Sequence, residues 1–234
     1  MLAALFAGLP GARAGDIREQ VRQATSRFRD IKAEAIVTYA NQRELKRMGG
    51  SYARSFEFKK AQIFFRDPDM FRMEGKLGLV SIVYITAGDL RIVRIPSIHY
   101  SKKDDVGDEP GKLHSCIDVG VVTDGLWETH NVRLVGKEDT PSGVVYVLEL
   151  ARIGDPRRNQ KLWLDEKLRL LKREKYHNEG TLKARYIYKD HKQMDDAVWV
   201  PSRTETYSDN GTLAGISELR KVKLNDGIPD SKFR

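Results

Sequence analysis

Cysteine is almost absent from this chain: Cys116 stands alone, so no internal disulfide can form and the thiol is expected to be inert and buried. No apolar run is long enough to cross a bilayer as a helix, which takes ~20 residues. The sequence has no G-x-S-x-G elbow, no H-E-x-x-H helix and no glycine-rich phosphate loop, the short patterns that announce hydrolase, metalloprotease or nucleotide chemistry. The nearest approach to a metal-ligand pair is His114-x-Cys116. The acids Asp104, Asp105, Asp108 and Glu109 lack the spacing of a calcium loop. No constellation proposes a reaction, so neither a catalytic residue nor a cofactor is expected.

Charge is plentiful. Lys and Arg number 41 against 33 Asp and Glu, a formal net charge of +8. That excess suits an anionic partner or surface. The basic residues alternate along predicted strands instead of forming runs, and the aromatics fall mostly opposite them, which argues against nucleic acid. With 234 residues, no repeat, no linker and no shift of composition, the chain reads as one domain.

The N-terminus carries a short apolar run, Leu2 to Leu9, followed by Ala12-Arg13-Ala14. These are the features of an export signal cut before Gly15, so residues 1–14 are expected to be a cleaved leader and 15–234 the folded domain. Gly15, not cysteine, follows the cut, so the exported chain is not expected to carry a lipid anchor.

The body of the chain has a period of two. In Leu182–Lys189, Leu182, Ala184, Tyr186 and Tyr188 share one face, while Lys183, Arg185 and Lys189 take the other. The turn His177-Asn178-Glu179-Gly180 joins this strand to Leu168–Tyr176, where alternation fails: Leu168 and Leu170 share a face, Leu171 takes the other, and Lys172 to Lys175 are all charged. Further strands are predicted at Ala33–Tyr39, Tyr52–Arg66, Met70–Glu74, Val80–Thr86, Leu90–Ile95, Asn131–Val135, Val144–Arg152 and Gln160–Asp165. Ala197–Pro201, Ser202–Tyr207 and Leu213–Leu224 complete the set. The one strongly periodic helix, Asp16–Ile31, presents Ile17, Val21, Ala24, Phe28 and Ile31 as a stripe. Ser97–Leu126 lacks a clear period and reads as an excursion with one or two short helices. The expected fold is mainly β, of α+β type: about eleven antiparallel strands under a thin helical cover. Such a sheet either packs its cover as an ordinary core or curls around a cleft that takes an apolar guest.

Several stretches resemble one family. They are Leu162-Trp163-Leu164-Asp165, Arg173-Glu174 with the Asn178-Glu179-Gly180 turn, Tyr186 and Tyr188, and Val198-Trp199-Val200-Pro201. The ending Val222 to Phe233 and, in the front half, Phe64-Phe65-Arg66, Pro68, Phe71-Arg72, Glu74, Gly88 and Pro96 follow the same pattern. Together they are similar to the outer-membrane lipoprotein-sorting (LolA-like) family, across nearly the whole mature chain. The resemblance implies an incomplete β-barrel whose concave apolar face is lidded by helices. It also implies a periplasmic chaperone-like carrier that binds acyl chains of lipoproteins or phospholipid and moves them from an inner-membrane transporter complex to an outer-membrane acceptor. A sensor domain of the same fold, contacting a membrane-protein partner without transport, is the alternative. On this reading the cleft is lined by Phe64, Phe71, Met73, Ile82, Tyr84, Tyr146, Leu148, Leu171, Tyr186, Tyr188 and Trp199, and Ile17, Val21 and Phe28 belong to the lid. One departure stands out. The lipoprotein carriers place a lid-tethering arginine directly before the proline after the second strand, where this chain has Asp67, with Arg66 one residue earlier.

Overall fold

The computed structural model describes residues 14–109, 112–194 and 198–234. Most of the expected leader (residues 1–13), Pro110-Gly111 of the polar loop and the Asp195-Asp196 turn with Ala197 lie outside the described residues.

Thirteen strands form a single sheet in the order β6-β5-β4-β3-β2-β1-β13-β12-β11-β10-β9-β8-β7. The front strands are β1 (Asp30–Ala40), β2 (Lys60–Arg66), β3 (Met70–Leu77), β4 (Val80–Ala87), β5 (Leu90–Ile95) and β6 (Tyr100–Asp105). The back strands are β7 (His130–Thr140), β8 (Gly143–Arg152), β9 (Asp155–Asp165), β10 (Leu170–Tyr176), β11 (Leu182–Met194), β12 (Val198–Ser208) and β13 (Leu213–Leu224). Every pair is antiparallel, and the first strand pairs with the last. The sheet is therefore an up-and-down barrel opened along one seam, between β6 and β7.

The seam has a consequence for the chain that crosses it. Alternating directions through the ladder leaves β6 and β7 pointing the same way. Two strands of like direction need a connection that returns along their full length. Residues 112–129 of that return run through the hollow of the sheet, where Cys116, Ile117, Val119, Val121, Val122 and Leu126 are all buried.

Three of the four departures from the sequence reading have physical causes. The N-terminal helix, α1 (Ala14–Ala24), stops short of Ile31. Thr25 turns its hydroxyl back to the Val21 carbonyl at 2.8 Å, and the Phe28 N–H closes a turn on Thr25, so Phe28 follows the helix and Ile31 lies in β1. The expected strand from Tyr52 begins only at Lys60; before it stand two short helices, α2 (Gln42–Met48) and α3 (Gly50–Glu57). Asn41 caps α2 by accepting from the Glu44 N–H, and Gly49, at φ 135°, makes the corner between them, a conformation glycine adopts most freely. The excursion from Ser97 contains an extra strand, β6, whose residues are nearly all polar and mostly exposed. It is held at the sheet edge by backbone pairing from Leu90↔Asp105 to Ile95↔Tyr100, not by an apolar face. The two segments either side of Pro201 are one strand, β12.

The main core lies on the concave side. Ala61, Ile63 and Phe65 of β2, Leu148 and Leu150 of β8, Leu162 and Leu164 of β9, and Val198 and Val200 of β12 meet α1 and the 112–129 segment there. A second cluster packs Leu45, Met48 and Ala53 of α2 and α3 against Ala184 and Ala214. A third lies on the outer face, where the C-terminal residues Ile228 and Phe233 cover Phe64, Ile85 and Ile92.

Candidate functional site

The concave face is apolar and has three covers: α1, the α2–α3 pair and the 112–129 segment. The third, called the lid segment below, is irregular. It consists of a 3-10 turn (Cys116–Val119), a bend at Gly120 and one turn of helix, α4 (Leu126–Thr129). Gly120, at φ 77°, is pressed so closely against Pro201 that a Cβ there would collide with the proline ring.

Polar anchors fasten the lid segment to the sheet. The strongest joins Asp118 to Arg173 of β10, with the guanidinium Nη1 2.6 Å from Oδ1; the Arg173 side chain is 5% exposed and that of Asp118 20%. Asp118 also accepts from the Ser115 N–H at 3.0 Å, Arg173 Nε donates to Gln160 at 2.7 Å, and the Tyr188 hydroxyl donates to the Ile117 carbonyl at 3.3 Å. Burial alone would raise the Asp118 pKa, but the charge of Arg173, then of Lys175, holds it well below the usual carboxylate range. Burial works against the Arg173 charge, but Asp118, together with Tyr188 and Tyr186, raises its pKa in turn.

The second anchor is Asp67, in the turn between β2 and β3. Thr123 of the lid segment donates its hydroxyl to Oδ1 at 2.6 Å, and Gly125 lies so close that a Cβ would be 2.6 Å from Oδ2. Burial pushes Asp67 up to about 6; the Thr123 hydrogen bond opposes the shift and the charges of Glu128 and Asp124 add to it. Arg66 points to the outer face, where it pairs with Asp230 at 2.6 Å. Thus Asp67, not Arg66, meets the lid segment.

Smaller contacts complete the closure. Arg18 of α1 pairs with Asp124 at 2.7 Å and lies 5.9 Å from the Trp127 ring. The Tyr84 hydroxyl donates to the Lys112 carbonyl at 2.9 Å. His114 stacks on Phe71 at 4.1 Å, with Nδ1 3.2 Å from the Thr86 hydroxyl; burial pushes its imidazole down to about 4, so it is neutral at pH 7. Cys116 is wholly buried and its thiol is pushed up to about 12, chiefly by desolvation, so it is no nucleophile at ordinary pH. Among the described residues no group of three or more His, Cys, Asp or Glu could hold a metal ion.

The structure gathers most of the expected lining residues. Phe71, Met73, Tyr84, Tyr146, Leu148, Tyr186 and Tyr188 belong to the concave core or pack against it, as do Ile17, Val21 and Phe28 of the cover. Ile82 shares the strand face of Tyr84 by alternation. Phe64 and Trp199 are placed elsewhere. Phe64 lies in the outer cluster, and Trp199 lies between the concave residues Val198 and Val200, its ring 5.3 Å from the guanidinium of Arg169. Leu171 sits at a break in register, where Leu170 pairs with Leu164 and Lys172 with Trp163. That bulge puts both Leu170 and Arg173 on the concave side and explains why alternation failed there.

Arg173, Asp118 and Thr123 were missed by sequence reasoning. The run Lys172-Arg173-Glu174-Lys175 held the signal, since successive residues on a strand face opposite ways and some of these charges had to turn inward. The α2–α3 cover was also missed, although Asn41 as a cap, with Leu45 and Met48 three residues apart, marks its start. Two open grooves lie on the surface of the sheet. One of about 540 Å³ is lined by Glu57, Lys59, Lys60, Ala61, Glu74 and Lys76 among others, and a smaller one of about 230 Å³ by Asn131, Val132, Arg133, Glu149 and Ala151.

An opened antiparallel barrel with its hollow covered by helices and an irregular lid defines a LolA-like fold, and the solved structures agree. A LolA superfamily protein from Nitrosomonas europaea aligns over 96% of this chain and 98% of its own, with a TM-score of 0.66 at 16% identity. A DUF1329 family protein from Desulfovibrio piger aligns over 94% and 95%, TM-score 0.60, 13% identity. A putative outer membrane lipoprotein-sorting protein domain from Vibrio parahaemolyticus aligns over 93% and 95%, TM-score 0.55, 15% identity. No family model matches the sequence, and no curated protein matches it. Among the described residues no helix is long and apolar enough to cross a membrane.

Proposed function

We propose that the chain is a periplasmic binding protein that takes acyl chains of lipoproteins or phospholipid onto its concave face and carries them between the inner and outer membranes. Residues 1–14 serve as its export signal, an inner-membrane transporter complex supplies the cargo and an outer-membrane protein accepts it. It works by binding, without catalysis. The observation that carries this reading is the nature of the cover. An apolar groove of the sheet is filled by an irregular segment whose buried side chains make no regular ladder with the strands, fastened by a few polar anchors. Lifting that segment exposes Leu148, Leu150, Leu162 and Leu164, all fully buried now. Burial gains ~0.8 kcal/mol per methylene, so an acyl chain can replace what the lid segment loses.

The test is native mass spectrometry of the protein purified from a bacterial periplasm, followed by organic extraction. A discrete added mass that extracts as phospholipid or acylated peptide is expected. Tyr186→Asp places a charge on the concave face and should abolish that mass while the fold survives. A clean apo mass that persists after incubation with vesicles and lipoprotein would make the concave face an ordinary core.

A further inference from the structure

We infer that Arg173 is a head-group site: when the lid segment leaves, a phosphate or carboxylate on the acyl ligand takes the place that the Asp118 carboxylate holds in the closed state. The inference rests on the acyl-binding reading above and names the class of ligand within it, an anionic lipid.

The geometry distributes the partners of Arg173 unevenly. Its guanidinium meets the Asp118 carboxylate at 2.6 Å, the Ile117 carbonyl at 3.5 Å and the Gln160 side chain at 2.7 Å. The first two belong to the lid segment; Gln160, on β9, and the Tyr188 hydroxyl, on β11, belong to the sheet, and neither carries a charge. Opening therefore removes the carboxylate and the carbonyl in one step. A guanidinium cannot shed its proton to escape the consequence, and a charge left without its partner beside Leu162 and the ring of Tyr186, 5.7 Å away, is strongly unfavourable. A hydrocarbon guest fills the volume and leaves that charge uncompensated. A guest ending in a phosphate or carboxylate restores it, with the planar fork matched to two oxygens.

Position agrees with this role. The Asp118 side chain keeps one-fifth of its surface in water while Arg173 lies behind it. The pair therefore stands at the mouth of the groove, with Leu162 and Leu164 leading inward along β9 for the chains. Lys175, two residues along β10, adds to the positive field acting on Asp118. In the closed state Asp118 occupies this field as a built-in stand-in for the ligand.

The experiment offers the full chain mixed micelles holding equal amounts of dioleoyl phosphatidic acid and dioleoylglycerol, which differ in the head group alone, and reads bound lipid by native mass spectrometry. The wild type should retain phosphatidic acid over dioleoylglycerol by about tenfold or more. Arg173→Gln should bring that ratio close to one, Arg173→Lys should fall between because it keeps the charge without the fork, and Asp118→Asn should load phosphatidic acid more readily than wild type. A melting curve for each variant identifies any that does not fold, in which case the wild-type ratio and the Asp118→Asn result decide. Equal loading of the two lipids by the wild type overturns the head-group site and leaves the acyl groove standing. Loading of neither overturns both. Displacement of phosphatidic acid by millimolar inorganic phosphate, with dioleoylglycerol still bound, would mean that the site serves a free anion and would overturn the lipid assignment.

Discussion

Asp118 and Asp67 fasten the same segment to different parts of the sheet, and their surroundings are opposite. Asp118 reaches from the lid segment to a guanidinium, within the positive field of Lys175. Asp67 reaches from the sheet to a hydroxyl, and the charges that bear on it, Glu128 and Asp124, are of its own sign. Both carboxylates are largely removed from water. The same loss of solvent strengthens one as an acid and weakens the other, because only one is given a cation in exchange. Closure is thus held at β10 by a charge that must stay ionised, and at the β2–β3 turn by a group that is more comfortable protonated.

The largest effect should come from breaking the first anchor on the sheet side. Arg173→Met leaves the Asp118 carboxylate without its cation, and urea unfolding at pH 7 should lose about 3 kcal/mol. Asp118 lies below its ordinary pKa in the folded state, so its contribution is present above about pH 4 and lost as pH falls. The variant should therefore lose less stability than wild type on acidification. A loss under 1 kcal/mol would mean that water replaces the pair at no cost.

Asp67→Asn sharpens the contrast with the opposite sign. The folded pKa is raised from 3.8 to about 6, so the stabilisation from its proton is complete below 3.8 and disappears as pH rises through 6. Between pH 4 and pH 7 wild type should lose on the order of 2 kcal/mol relative to the variant, whose amide oxygen can still accept from Thr123. Urea midpoints for both proteins across that range check the claim, and a difference that does not change with pH would remove it.

The smallest effect is expected at the third contact. Arg18 is roughly half exposed, and its pair with Asp124 is open to solvent. Arg18→Ala should therefore cost no more than about 1 kcal/mol, and less in high salt, by the same unfolding measurement. A larger loss would place α1 among the principal fastenings of the lid.

Much of the sheet was legible because its physics is local. Leu182 to Tyr188 alternate, Gly180 and Gly211 mark turns, and the start of β3 and the boundaries of β4, β5 and β13, to within a residue, follow from such signals. β6 was not legible, since Tyr100-Ser-Lys-Lys-Asp-Asp has no apolar face and owes its pairing to the neighbour's backbone. Most of α3 was read as strand, because Ala53 and Phe56 serve a small packing surface, not a long stripe. For the site, alternation found Tyr84, Tyr186 and Tyr188. It misplaced Phe64 because β2 carries three consecutive apolar residues, Ile63-Phe64-Phe65, one of them for the outer face. The Asp118–Arg173 pair spans 55 positions in sequence, and no local pattern reaches that far.

The connection across the seam is fixed at both ends, to β6 at one edge of the sheet and to β7 at the other. Such a loop has no free tip to wander, and leaving the groove releases far less chain entropy than freeing a tail would. It remains nearby as an intramolecular competitor, and segments held on short tethers act at effective concentrations in the millimolar range. Any cargo must therefore outbid an occupant that cannot diffuse away. The affinity measured for a free ligand will understate what the groove itself offers, and handing cargo onward is aided by a segment always ready to take the vacated place.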